Sequence, residues 1–223
     1  EIYTLSLHDA LPISISNGSD MITSSALKMF DLMKWKSDEG SESIIDKEDK
    51  PIVFFDCEVF PNVNFINYKI QGNPNMVRLI NPKPKDIEEL LQYRIVGYNN
   101  REYDNHIIYG IYLGRTPAEI YALSKAIIDS KRKDVKVKVG FKEAYNLSYT
   151  DGYDFLSVKQ TLKKWQIQLH LYHLELGLVW DKPVPEALWK KVSDYCDNDV
   201  ISLEALWDHS QADFTARKII ARS

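Results

Sequence analysis

Asp56 and Glu58 stand two apart in Ile52-Val53-Phe54-Phe55-Asp56-Cys57-Glu58-Val59-Phe60, an apolar run bounded by Pro51 and Pro61. Its β-branched and aromatic content predicts a buried strand, and period two puts both carboxylates on one face. Two carboxylates on a buried surface repel each other and lose hydration, so a hard divalent cation is their natural partner. An acidic pair at a solvated strand end has the same spacing, and so short a motif does not decide by itself. Asn100-Arg101-Glu102-Tyr103-Asp104 follows a second apolar run, Arg94–Tyr98. A helix is predicted over Asp104–Leu113, so Asp104 projects from a strand-to-helix junction, where its ordinary role is a cap. Tyr195 and Asp199 are four apart in Tyr195-Cys196-Asp197-Asn198-Asp199. They lie in a helix predicted over Leu188–Trp207, with Leu188, Val192, Tyr195, Val200, Leu203 and Leu206 forming most of an apolar face. Spacing of four lets a phenol and a carboxylate reach one point in space. A core tyrosine beside solvated Asp194, Asp197 and Asp199 has the same pattern. The conjunction of all three clusters, in this order, argues against coincidence.

The elements that must position these groups alternate between strand and helix. Asn64–Lys69 and Met76–Ile80 are predicted to pair with the first strand as a meander, Pro84–Tyr93 forms a helix, and Val96–Tyr98 returns to the sheet. Thr116–Ser130 is an extra helix, followed by a basic arm in which Lys131, Arg132, Lys133, Lys136, Lys138 and Lys142 outnumber Asp134. Val135, Val137 and Val139 alternate there as a half-exposed strand would. Later helices are expected at Ser157–Trp165 and Pro185–Trp207. This order implies an α/β domain with a mixed sheet.

Composition excludes little. The 223 residues suit one domain with a sizeable core, and the net charge of −4 is mildly acidic. Clustered metal-binding carboxylates account for part of that acidity. Cys57 and Cys196 each adjoin a candidate ligand but make neither a disulfide framework nor zinc spacing, and both are expected to be small buried thiols. Cys57 should point away from Asp56 and Glu58. His170 and His173 are expected to be structural or surface residues. No run is long and apolar enough to span a membrane.

The three clusters resemble the exonuclease motifs of the DEDD superfamily, in its tyrosine-bearing subclass. Their order and spacing are similar to those of the proofreading 3′-5′ exonuclease domains of phage-type family A DNA polymerases. The resemblance covers Pro51 to Trp207 and extends to Tyr153–Lys164 and Leu176–Pro185. It implies a ribonuclease H-like (DnaQ-like) fold, a mixed five-stranded sheet flanked by helices. It also implies two Mg²⁺ or Mn²⁺ ions held by Asp56, Glu58, Asp104 and Asp199, with Asp56 bridging both. Glu58 and Asp199 would hold the ion carrying the attacking water, Asp104 the second, and Tyr195 would orient that water. The implied substrate is the 3′ end of single-stranded DNA, with Asn100 and Tyr103 as expected contacts, while the basic arm at Lys131, Arg132 and Lys133 either contacts the DNA backbone or is a solvated hairpin arm. A monomer is expected, in the cytoplasm of a bacterial or phage-infected cell, with a polymerase domain in cis. Alternatives are a ribonuclease D-like enzyme trimming RNA ends and a non-catalytic DNA-holding module.

Four segments are expected. Residues 1–16 resemble translated adapter sequence, most clearly Tyr3–Ser14, and are set aside as a spurious leader. Residues 17–50 hold a short amphipathic stretch and a charged linker. Residues 51–210 form the exonuclease domain, and 211–223 begin a truncated link that resembles the entry into a polymerase domain.

Overall fold

Ile52–Phe60 forms the strand that its composition predicts (β1), and a turn at Pro61-Asn62 returns the chain as β2 (Val63–Ile70), paired antiparallel from Phe60↔Val63 to Val53↔Ile70. The computed structural model describes residues 50–132, 139–148 and 150–222. Expectations for the leader, the amphipathic stretch, most of the linker and Lys133–Lys138 of the basic arm therefore lie outside the described residues. All the described residues fall in one unit, Asp46–Ser223. β3 (Val77–Ile80) adds antiparallel to β2. Pro84 then opens α1 (Pro84–Leu90), with the Asp86 carboxylate accepting from the Lys83 N–H at 2.7 Å.

β4 (Arg94–Gly97) pairs parallel to β1, and a single 3₁₀ turn (Asn100–Glu102) leads into α2 (Asp104–Tyr112) and then α3 (Pro117–Arg132). A second 3₁₀ turn (Glu143–Asn146) precedes β5 (Thr150–Asp151), parallel to β4. The sheet order is β3-β2-β1-β4-β5, so the mixed five-stranded sheet is present. Its fifth strand is too short to leave a periodic trace. Helices α4 (Gly152–Phe155), α5 (Leu162–Gln168), α6 (Trp189–His209) and α7 (Gln211–Arg222) complete the chain. Helix α5 starts at Leu162 and not at Ser157 because Thr161 caps it, its hydroxyl accepting from the Lys164 N–H.

Helix α6 lies across β1 and β2. Its Val200, Leu203 and Trp207 bury against Phe54 and Val96, while its Val192 joins Phe60, Val63 and Phe65 in a second cluster. Helices α2 and α3 also pack on β1. That cover accounts for the complete burial of Val53 and Phe55, which alternate away from Phe54. Helix α7 follows α6 after one residue, and its Phe214 stacks on Trp207 with ring centroids 4.1 Å apart. The segment from Gln211 is thus packed into the same core as the rest.

Candidate metal centre

The three parallel strands end unevenly. β4 accompanies β1 only from Ile52 to Phe54, whereas β2 pairs with β1 along its whole length. Asp56-Cys57-Glu58 therefore runs past the carboxyl end of β4, the position where open α/β sheets leave a crevice. On the α6 face, Phe54 and Phe60 belong to the two apolar clusters, and Asp56 and Glu58 fall between them by alternation. Across that gap α6 presents Asp199. Asp56, Glu58 and Asp199 each bring one carboxylate oxygen within 4.8 Å of the others, and all three residues are half-buried.

Helix α6 separates its acidic residues by partner. Asp197 accepts from Arg78 Nε at 2.9 Å and from Asn67 Nδ2 at 2.7 Å, and Asp194 pairs with Arg78 and Lys190. Those two tie the helix to β2 and β3. Asp199 faces the gap instead, accepting from Gln166 Nε2 at 2.7 Å and from the Tyr195 hydroxyl. The thiol of Cys196, fully buried as expected, donates to Asp56 Oδ2 at 3.4 Å.

Negative charge at the centre is undercompensated. Burial, followed by the fields of Asp104, Glu58 and Asp199, holds the Asp56 carboxyl well above its ordinary range. Glu58 is pushed up to about 8 by burial, then by Asp199 and Asp104, with only Lys163 opposing. Burial also raises Asp199, against the bonds from Gln166 and Tyr195 and the charges of Lys163 and His173. Tyr195 is raised far beyond neutrality by burial and the three carboxylates, so its hydroxyl keeps its proton and donates. An all-oxygen donor set that ionises with difficulty in the absence of a cation fits a hard divalent ion, whose charge would reverse the local field.

Asp104 sits at the edge of β1 that β4 leaves uncovered. It is buried, it raises both Asp56 and Glu58, and it accepts a hydrogen bond from the Cys57 thiol. Cys57 points away from Asp56 and Glu58, as alternation requires, and meets Asp104 there. The Asp104 oxygens are not among the three that converge within 4.8 Å.

The loop that delivers Asp104 is pinned by Asp151. Its carboxylate accepts from three backbone N–H groups, Asn99 at 2.7 Å, Tyr153 at 2.9 Å and Arg101 at 3.1 Å. Asn99 takes a positive φ of 57°, which turns the chain sharply after β4. Asn100 is fully buried with its amide bonded to that of Asn105, and the Tyr103 hydroxyl lies 2.6 Å from Ser124 Oγ. Of the five residues expected to touch DNA, Asn100 and Tyr103 are thus engaged within the fold. The side chains of Lys131 and Arg132, and all of Lys133, lie outside the described residues.

Gln166, His173, Glu175 and Lys163 were not selected by motif, yet they border the centre. Gln166 reaches His173 Nδ1 at 2.7 Å, His173 Nε2 lies 3.0 Å from Glu175, and Glu175 pairs with Lys163 at 2.8 Å. The Lys163 ammonium stands 5.7 Å from the centroid of the Tyr195 ring. Only the placement of Gln166 one turn inside α5 could have signalled this, and a glutamine carries no ligand signature. No family model, curated protein or solved structure matches this chain.

Proposed function

We propose that this chain is a metal-dependent 3′-5′ exonuclease domain that removes nucleoside monophosphates from the 3′ end of single-stranded DNA, as the proofreading part of a family A DNA polymerase. The observation that carries this reading is the convergence of Asp56 and Glu58 from β1 with Asp199 from α6 within 4.8 Å. A mixed five-stranded sheet with helices packed on it is the architecture that a ribonuclease H-like fold requires. Among the described residues no helix is long and apolar enough to cross a membrane.

Asp56, Glu58 and Asp199 would hold one Mg²⁺ or Mn²⁺, and Asp104, beside Asp56 and Cys57, would hold a second with Asp56. Such a pair of ions activates water and stabilises the leaving 3′ oxygen. The chain's own groups complete the arrangement. Tyr195 keeps its proton, which it donates to Asp199, and so would orient a neighbouring water through its oxygen and not act as a base. Phe54 and Phe60 bury into apolar clusters on either side of the acids and so hold that stretch of the strand face in place.

The test is Mg²⁺- or Mn²⁺-dependent shortening of 5′-labelled single-stranded DNA beside matched RNA. Stepwise loss from the DNA 3′ end is expected, abolished by Asp56→Ala and by Asp199→Ala. Preferential RNA trimming would transfer the site to the ribonuclease D-like reading. A folded, metal-binding protein that shortens neither strand would make it a holding module.

A further inference from the structure

Asp199 is held from behind by a chain of hydrogen bonds that runs through Gln166 to His173. Gln166 Nε2 lies 2.7 Å from Asp199 Oδ1 and 3.1 Å from Ser202 Oγ. Ser202 spends its proton on the Asn198 carbonyl, so its oxygen accepts and the amide nitrogen of Gln166 must face this pair. The amide oxygen then faces His173 Nδ1 at 2.7 Å, and that nitrogen must donate. On the far side His173 Nε2 meets Glu175, whose carboxyl the bonds from Lys163 and His173 hold below its ordinary range. The loop reaches back because α5 ends with His170 at φ 55° and the Leu171 N–H bonds the Gln166 carbonyl at 2.8 Å, which reverses the chain over the helix end.

We propose that Gln166 and His173 are positioning residues that fix Asp199 Oδ1 and so preset the Asp199 carboxylate for a divalent cation. The inference rests on the metal-centre reading above. Gln166 orients the ligand directly, and His173 orients Gln166. Partners of this kind around metal ligands are worth about 10–100-fold in metal affinity or activity.

The experiment measures Mn²⁺ binding by the electron paramagnetic resonance signal of the free ion, together with kcat and KM on single-stranded DNA, for the wild type, Gln166→Leu, His173→Ala and His173→Asn. Gln166→Leu is expected to weaken Mn²⁺ by about 10-fold or more and to lower kcat with little change in the KM for DNA. His173→Ala should lose less, and His173→Asn, which retains a donor, should recover part of that loss. Wild-type Mn²⁺ affinity in Gln166→Leu and in His173→Ala overturns the proposal. If Gln166→Leu does not fold, the partly exposed His173 pair decides alone. A wild type that binds no Mn²⁺ overturns instead the reading of the site on which the proposal rests.

Discussion

Glu58 shows how one residue's environment separates stability from function. Its carboxyl is pushed from an ordinary 4.5 up to about 8 by burial and by two neighbouring acids. Between those values the folded chain binds more protons than the unfolded one, so the sign of the linkage is negative and stability falls as pH rises. In the metal-free protein Glu58 thus contributes a loss of stability that begins above pH 4.5 and is complete by about pH 8. Asp56, also raised, adds to it in the same direction. Glu58→Gln keeps the shape and removes the charge. Its urea midpoint, measured with chelator present, should exceed that of the wild type at pH 8 and approach it at pH 5, while the proposed nuclease activity should be lost at both. A wild type whose stability rises from pH 5 to pH 8 without metal would contradict this balance. The pair itself was legible because alternation along a strand leaves no choice of face, and Cys57 lies opposite for the same reason. Helical spacing alone left Asp194, Asp197 and Asp199 open, and the resemblance of the motifs pointed to Asp199; the structure separates Asp197 and Asp199 by the partners it supplies, Arg78 for one and Gln166 for the other.

At the scale of elements, the loop between β4 and α2 is held by contacts that no local pattern announces. Asp151, in a strand of two residues, accepts from the backbone N–H groups of Asn99 and Arg101 in that loop and of Tyr153 in α4. Gly97 is needed because the chain folds back so closely that a Cβ there would lie 2.5 Å from the Asn100 Cβ. Gly97→Ala is therefore an overpacking substitution, expected to cost about 1–3 kcal/mol by chemical denaturation. Asp151→Ala leaves three donors in or near the interior without their acceptor, at about 1–3 kcal/mol for each that stays unsatisfied. Both changes should reduce activity more than a core substitution of equal cost far from the loop, because both displace Asp104. Equal activity at equal stability would show that the loop does not set the position of Asp104. The long helix α6 was readable from its apolar face and begins within one residue of the expected Leu188. The start of α5 was misplaced because Ser157 and Thr161 are both plausible caps. Only the turn geometry selects Thr161.

For the whole molecule, the centre joins the first strand of the sheet to the last helix laid across it. Asp56 and Glu58 come from β1, and Asp199 from α6, so a bound cation would fasten the two elements that carry most of the core between them. Folding and ion binding must then be linked, since the unfolded chain holds no such set of ligands. At a Mg²⁺ concentration about 100 times its dissociation constant, the gain is about 2.7 kcal/mol. For a fold of this size that corresponds to a rise in Tm of roughly 5–10 °C. Protons compete for the same oxygens, so the rise should be larger at pH 8 than at pH 6, opposite to the trend of the metal-free protein. Glu58→Gln should start from a higher Tm at pH 8 and gain less from Mg²⁺, whereas Asp151→Ala should start lower and gain nearly as much. Scanning calorimetry of the three proteins with chelator and with Mg²⁺ separates these cases. A wild-type Tm indifferent to Mg²⁺ and Mn²⁺ at both pH values would mean that the carboxylates converge without forming a metal centre, because a ligand that binds only the native state cannot avoid stabilising it.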